Sequence, residues 1–182
     1  MGIEIRQATS NDASAACALL RRSIEDGCVA DHGQRPEILQ AWLGNKTPQN
    51  VAAWFGSPSN YAVVAERRVD GAGAAADGPC ELVGLALLNQ AGRLALCYVL
   101  PDALRCGIGR ALLAAIEGQA RAWNIGKLNM HSPASASAFF ERHGYVNAGK
   151  DRACFGLECD FLWKQLDAAE PPAGKRFCNC TQ

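Results

Sequence analysis

The chain has 182 residues, 49% of them hydrophobic, with 18 Lys and Arg balanced by 18 Asp and Glu. This suits one domain with a real core and excludes a broad basic field for nucleic acid or an acidic tail for a cationic partner. No apolar run approaches membrane-spanning length and the start, MGIEIRQATS, has no apolar signal region, so the expectation is a cytoplasmic protein.

Residues 3–7, IEIRQ, alternate and predict a first strand. Thr9 to Asp12 offer N-caps, with Asp12 three residues after Thr9, before a helix carrying Ala16, Leu19, Leu20 and Ile24 that fades near Gly27. Pro36 opens a second helix, closed by Gly44-Asn45, and a third runs from Pro48 to Phe55. Residues 61–66, 81–89 and 93–100 read as an antiparallel meander, the first two joined by a long Gly- and Ala-rich loop over 67–80. A helix from Gly107 to Trp123 follows, with a stripe of Ile108, Leu112, Ala115, Ile116, Gln119 and Trp123, and Gly126 ends it. Lys127–His131 then makes a strand parallel to 93–100, because a helix crosses between them. A short helix over 135–143 and strands at 145–149 and 154–163 close the domain. It is expected to span 1–166, with 167–182 a flexible tail.

There are nine cysteines, scattered through apolar segments. Most read as small buried hydrophobes. Cys178 and Cys180 form the one tight pair, without a further ligand at zinc spacing, so no metal is expected.

The segment 104-LRCGIGR-110 links a strand to the N-terminus of the long helix. First-turn amides there lack helical partners and carry the positive end of the macrodipole. Gly107 and Gly109 let an anion approach the backbone, and Arg105 and Arg110 add charge. The loop is neither a Walker loop nor a dinucleotide fingerprint.

Two stretches, 97-CYVLPDALRCGIGRALL-113 and 138-AFFERHGY-145, resemble the GCN5-related N-acetyltransferase (GNAT) superfamily. The resemblance covers roughly residues 3–166 at fold level. It implies an α/β fold with a mixed, mostly antiparallel sheet, a splayed parallel strand pair and helices on both faces. It also implies transfer of an acetyl group from acetyl-CoA to a primary amine of a small molecule or protein, by direct attack in a ternary complex. Neither nucleic acid nor membrane is an expected partner, and a homodimer is compatible with it. Residues 10–45 resemble a bacterial subgroup of undefined acceptor.

The family loop, Gln/Arg-x-x-Gly-x-Gly/Ala, falls on Leu104 to Gly109. Its glycines match and its leading polar residue is replaced by Leu104. The resemblance gives Cys97, Tyr98 and Val99 to the pantetheine arm, with an amide near Tyr98 or Val99 for the acetyl carbonyl. It gives Leu104, Arg105, Cys106, Gly107, Ile108, Gly109, Arg110 and Ala111 to the pyrophosphate, with amides from 107 to 111 holding it. Phe140 stands on the cofactor side where many members have a tyrosine that protonates the departing thiolate. Tyr98 and His131 are the replacement candidates, and Glu66 and His131 the candidate bases. Asp26 and His32 read as solvated groups near the acceptor region, His143 as a helix-end cation, and Trp42 and Trp54 as core. With Phe140 and Leu104 in these places, a catalytically quiet acyl-CoA-binding module is the alternative.

Overall fold

The structure is a computed structural model that describes residues 2–68, 80–152 and 156–166. Strand β1 (Ile3–Gln7) leads through a 3-10 turn at Ser10–Asp12 into helix α1 (Ala13–Gly27). The Thr9–Asp12 capping box forms: Thr9 N donates to Asp12 Oδ2 at 2.7 Å. Helices α2 (Val29–His32), α3 (Pro36–Leu43) and α4 (Pro48–Gly56) follow. The one-turn α2 has no sequence signal at its length. It ends at Gly33, φ 56°, and brings His32 into the interior, where Nδ1 accepts from Gln34 N. His32 is therefore a buried group and not the solvated one expected.

Strands β2 (Asn60–Arg68), β3 (Cys80–Asn89) and β4 (Leu94–Val99) form the meander with β1, in the order β1-β2-β3-β4, all antiparallel. The expected loop is shorter at both ends, because Arg67, Arg68 and Cys80 pair within the strands; 69–79 lie outside the described residues. Helix α5 (Ile108–Ala122) crosses to β5 (Lys127–Ser132), and α6 (Ala134–Arg142), β6 (Val146–Arg152) and β7 (Glu158–Gln165) complete the fold. Cys154, the expected start of the last strand, the expected tail 167–182 and Cys178 and Cys180 also lie outside the described residues.

Two details of α5 differ from the sequence reading. Its chain reversal is made at Asn124, φ 57°, with Ile125 N donating to Ala120 O, and not at Gly126. Its buried face holds Leu113, Glu117 and Ala120 where Gln119 was expected. Glu117 can be there because Lys164 Nζ, on β7, donates to it at 2.7 Å.

Strands β5, β7 and β6 form a second antiparallel sheet in that order. The two sheets meet at one parallel bridge, Arg93 with Asn129, supported by Asn129 N donating to Gly92 O at 2.9 Å. Past this bridge β4 and β5 separate without a further ladder. Helices α1 and α5 pack on β3 and β4, around a core that includes Leu20, Leu85, Leu88, Leu112, Ile116 and Leu128. A smaller cluster of Ile24, Cys28, Trp42, Leu43, Leu157 and Cys159 sits against Tyr98.

Candidate functional site

The divergence of β4 and β5 opens two cavities, of about 520 and 590 Å³. They share Ala95, Tyr98, His131 and Pro133, so β4 and β5 side chains form the boundary between them. Ala95 lies where the β3–β4 register slips, since Leu87 pairs with Leu96 and Leu88 with Leu94.

The first cavity runs from that boundary to the α5 N-terminus. Cys97, Tyr98, Val99, Leu104, Arg105, Gly107, Gly109, Arg110 and Phe140 line it, all expected cofactor residues. Cys106, Ile108 and Ala111 do not. Cys106 is exposed, and Ile108 is buried with its side chain against Gly84. Ala111 N donates to Gly107 O at 3.0 Å, so its amide is already used inside the helix. The partnerless first-turn amides are those of Ile108, Gly109 and Arg110.

The two glycines have different reasons. Gly107 takes φ 79° with open space around its Cβ position. At Gly109 a Cβ would lie 2.9 Å from the Phe139 ring, so this glycine first admits the ring. Arg105 adopts φ 62°, a left-handed conformation that costs roughly 1 kcal/mol for a non-glycine residue. Leu104, in the family's polar position, is 53% exposed. Cation density comes instead from Arg105, Arg110 and Arg142, three lining residues of which the last was missed in the sequence. His143 also lines the cavity, its Nδ1 at 2.8 Å from Phe139 O. Ser23, buried on α1 at the cavity wall, has no hydrogen-bond partner for its hydroxyl among the described residues. Such an unmet polar group fits a ligand or water nearby.

Tyr98 is the central side chain. Its hydroxyl accepts from Trp42 Nε1 at 3.3 Å, and burial pushes its pKa upward. Because indole N–H only donates, the Tyr98 proton is left for another acceptor. Cys28 and Cys97 line the same cavity, and burial pushes both thiols up to about 12. Phe140 is 2% exposed and packs edge-on against Phe139 and Tyr145, a core residue with no proton to give.

His131 is held from both sides. Its Nε2 lies 2.7 Å from Asp151 Oδ2 and its Nδ1 lies 3.0 Å from Arg93 Nη2. Guanidinium only donates, so Nδ1 accepts and the proton is on Nε2, facing Asp151. That bond holds the Asp151 carboxyl below its ordinary value. Glu66 is elsewhere: it bonds Arg6 Nη2 at 2.5 Å, in a network with Asp12, and lines neither cavity. Asp26 pairs with Arg22 at 3.7 Å on the helix surface.

The second cavity was not legible in the sequence. Its walls include Trp42, Lys46, Trp54, Arg93, Asp151 and Arg152, brought in from α3, the α3–α4 loop, α4, the turn before β4, and β6. Both tryptophans belong to the core as expected, Trp42 buried in the smaller cluster and Trp54 packed against the larger one, and both also line this cavity. Among the described residues there is no metal-ligand cluster and no helix long and apolar enough to cross a membrane.

Comparison with known proteins gives this architecture a family. The model of an acetyltransferase (GNAT) domain matches residues 43–159. A search of curated proteins finds no match. Among solved structures, a GCN5-related N-acetyltransferase from Rhodopseudomonas palustris superposes with a TM-score of 0.75 at 23% identity, covering 91% of this chain and 97% of that one. The PaiA N-acetyltransferase from Thermoplasma acidophilum, in complex with coenzyme A, gives 0.68 at 16% identity, covering 91% and 99%. YncA from Salmonella typhimurium, with its cofactor acetyl-CoA, gives 0.64 at 19% identity, covering 96% and 100%. The structural likeness is one of fold, and with a domain match over well more than half of its length the chain belongs to the GNAT family of acetyltransferases.

Proposed function

We propose that the chain transfers an acetyl group from acetyl-CoA to a primary amine, by direct attack with both substrates bound. The observation that carries this reading is the pair of cavities meeting at Tyr98 and His131, one ending at a cationic helix N-terminus. The residues present fit acetyl-CoA. Amides of Ile108, Gly109 and Arg110, with Arg105, Arg110 and Arg142, suit its phosphates. The β4 edge at Cys97–Val99, left without a β5 ladder, offers strand-like pairing to an amide-bearing arm. Acetyl-CoA supplies an activated thioester carbonyl when bound.

The chain's own residues then have distinct tasks. A β4 amide near Tyr98 or Val99 polarises the carbonyl oxygen. Tyr98, kept protonated by burial, donates to the departing thiolate in the role that Phe140 cannot fill. His131 and Asp151 hold the acceptor side, and His131 Nδ1 takes the proton of the attacking amine only once Arg93 Nη2 has moved off that nitrogen. The protonated thiols of Cys28 and Cys97 are poor nucleophiles, which supports direct attack over an acyl-cysteine route.

The test is acetyl-CoA turnover across a panel of small amines and peptides, beside calorimetric binding of acetyl-CoA. Arg110→Glu, at an exposed position, should weaken acetyl-CoA binding about tenfold or more by reversing charge at the phosphates. Undiminished binding would move the cradle elsewhere. The quiet acyl-CoA-binding module is favoured by Phe140 and Leu104. It becomes the better account if acetyl-CoA binds tightly and no amine in the panel is acetylated.

A further inference from the structure

The second cavity carries information about the acceptor, an inference that rests on the acetyl-transfer reading. Lys46, Arg93 and Arg152 line it against a single carboxylate, Asp151. The chain as a whole is balanced, 18 cationic against 18 anionic residues, so this cationic excess is local.

Lys46 is only 7% exposed, its ammonium held by the Trp42 carbonyl and Asn45 Oδ1 and lying 5.9 Å from the Trp54 ring centroid. A fixed charge behind a low-dielectric wall is poorly screened, and its field extends into the cavity. Arg93 gives one N–H to His131, and a guanidinium has five. Among the described residues neither Arg93 nor Arg152 has a carboxylate within ion-pair distance, and the one ion pair in the cavity wall is His131 with Asp151. Asp151 is the most committed charge: one oxygen accepts from His131 and the other from the Arg152 amide.

The amine has one place to be. It must meet the first cavity at the shared boundary, beside Tyr98 and His131. Trp42 and Trp54 then give the body of the acceptor an apolar, planar wall. We infer that the acceptor is a small molecule bearing both a primary amine and an anionic group, carboxylate or phosphate. Its amine end lies at Tyr98–His131, and its anion lies among Lys46, Arg93 and Arg152.

The experiment compares matched acceptors on the full chain with acetyl-CoA, the acetylated product being read by mass spectrometry. One arm sets the standard amino acids against their amides, and the other sets O-phosphoethanolamine against ethanolamine. The anion-bearing member of at least one arm should lead in kcat/KM by roughly 10- to 100-fold, the size of one charge-assisted hydrogen bond. The arm that shows the lead identifies the anion. Arg93→Gln and Arg152→Gln, both at exposed positions, should each shrink that ratio, as should added salt. Equal rates within both arms, a lead for the neutral members, or acetylation of neutral peptides alone overturns the inference and leaves the transferase reading standing. No turnover by anything in the wider amine and peptide panel, with acetyl-CoA bound, overturns both.

Discussion

Tyr98 shows how one side chain acquires chemistry from its neighbours. On its own a tyrosine in a strand is a packing residue. Here Trp42 donates to its hydroxyl, and burial keeps the phenol protonated. Tyr98→Phe removes the proton and leaves the ring, so kcat should fall about 100-fold while acetyl-CoA affinity stays close to the parent's. Steady-state kinetics beside calorimetry separates the two; an unchanged kcat would assign the proton to another donor. The cysteines give a second residue-scale check. Cys28 and Cys97, raised to about 12, with buried Cys17 and Cys159, should resist iodoacetamide at pH 8 in the folded protein. Exposed Cys80 and Cys106 should label ahead of these four, as peptide mapping by mass spectrometry would show.

Elements are joined by charges whose partners are far apart in sequence. Arg6 on β1 holds Asp12, below α1, through two hydrogen bonds of 2.7 and 2.8 Å, and brings Glu66 of β2 into the same network. Arg6 lowers the Asp12 carboxyl from 3.8 to about 2. A depressed carboxyl contributes stability that is fully present above about pH 4 and disappears as pH falls through about 2. Asp12→Asn should therefore lose about 1–2 kcal/mol at pH 7 and converge on the parent near pH 2, as read by urea unfolding. Lys164 ties β7 to α5 through Glu117, donates to the His143 carbonyl at 2.8 Å, and lies over the Tyr145 ring. Lys164→Met leaves the Glu117 carboxylate, 9% exposed, to the longer Arg121 pair at 3.8 Å, at a cost of about 2–3 kcal/mol in denaturant unfolding. Glu117→Gln in the same chain should return part of it. A full loss persisting in the double variant would point to the lysine stem, not the charge pair.

At the scale of the whole molecule, two sheets are pinned at the Arg93–Asn129 bridge and opened beyond it. A ligand that fills the opening adds contacts present only in the folded state, so acetyl-CoA should raise Tm in a concentration-dependent way. Hydrogen exchange locates the effect. Protection should rise at residues 97–99 on the β4 edge and at 108–110 in the first turn of α5, and should not change in edge strand β6. A uniform slowing across both sheets would argue against the opening as the binding place.

Most of the element order was legible because it rests on local physics. Thr9 with Asp12, Pro36, Pro48 and the alternating meander mark their own boundaries through caps, fixed φ angles and side-chain period. The Gly107–Gly109 loop was legible for the same reason, and the matching stretches around it carried the family resemblance. Glu66 was misjudged because its position beside a strand end said nothing of Arg6, 60 residues away. The sequence by itself determined the strand–loop–helix unit, the missing tyrosine at Phe140 and the balance of charge. Only the tertiary structure decided that Gly109 faces Phe139, that Tyr98 meets Trp42, and that Lys46, Arg93 and Arg152 line one cavity. The reason is range: caps, turns and periodicity act within a few residues, whereas a cavity is made by side chains that only the packing of distant elements brings together.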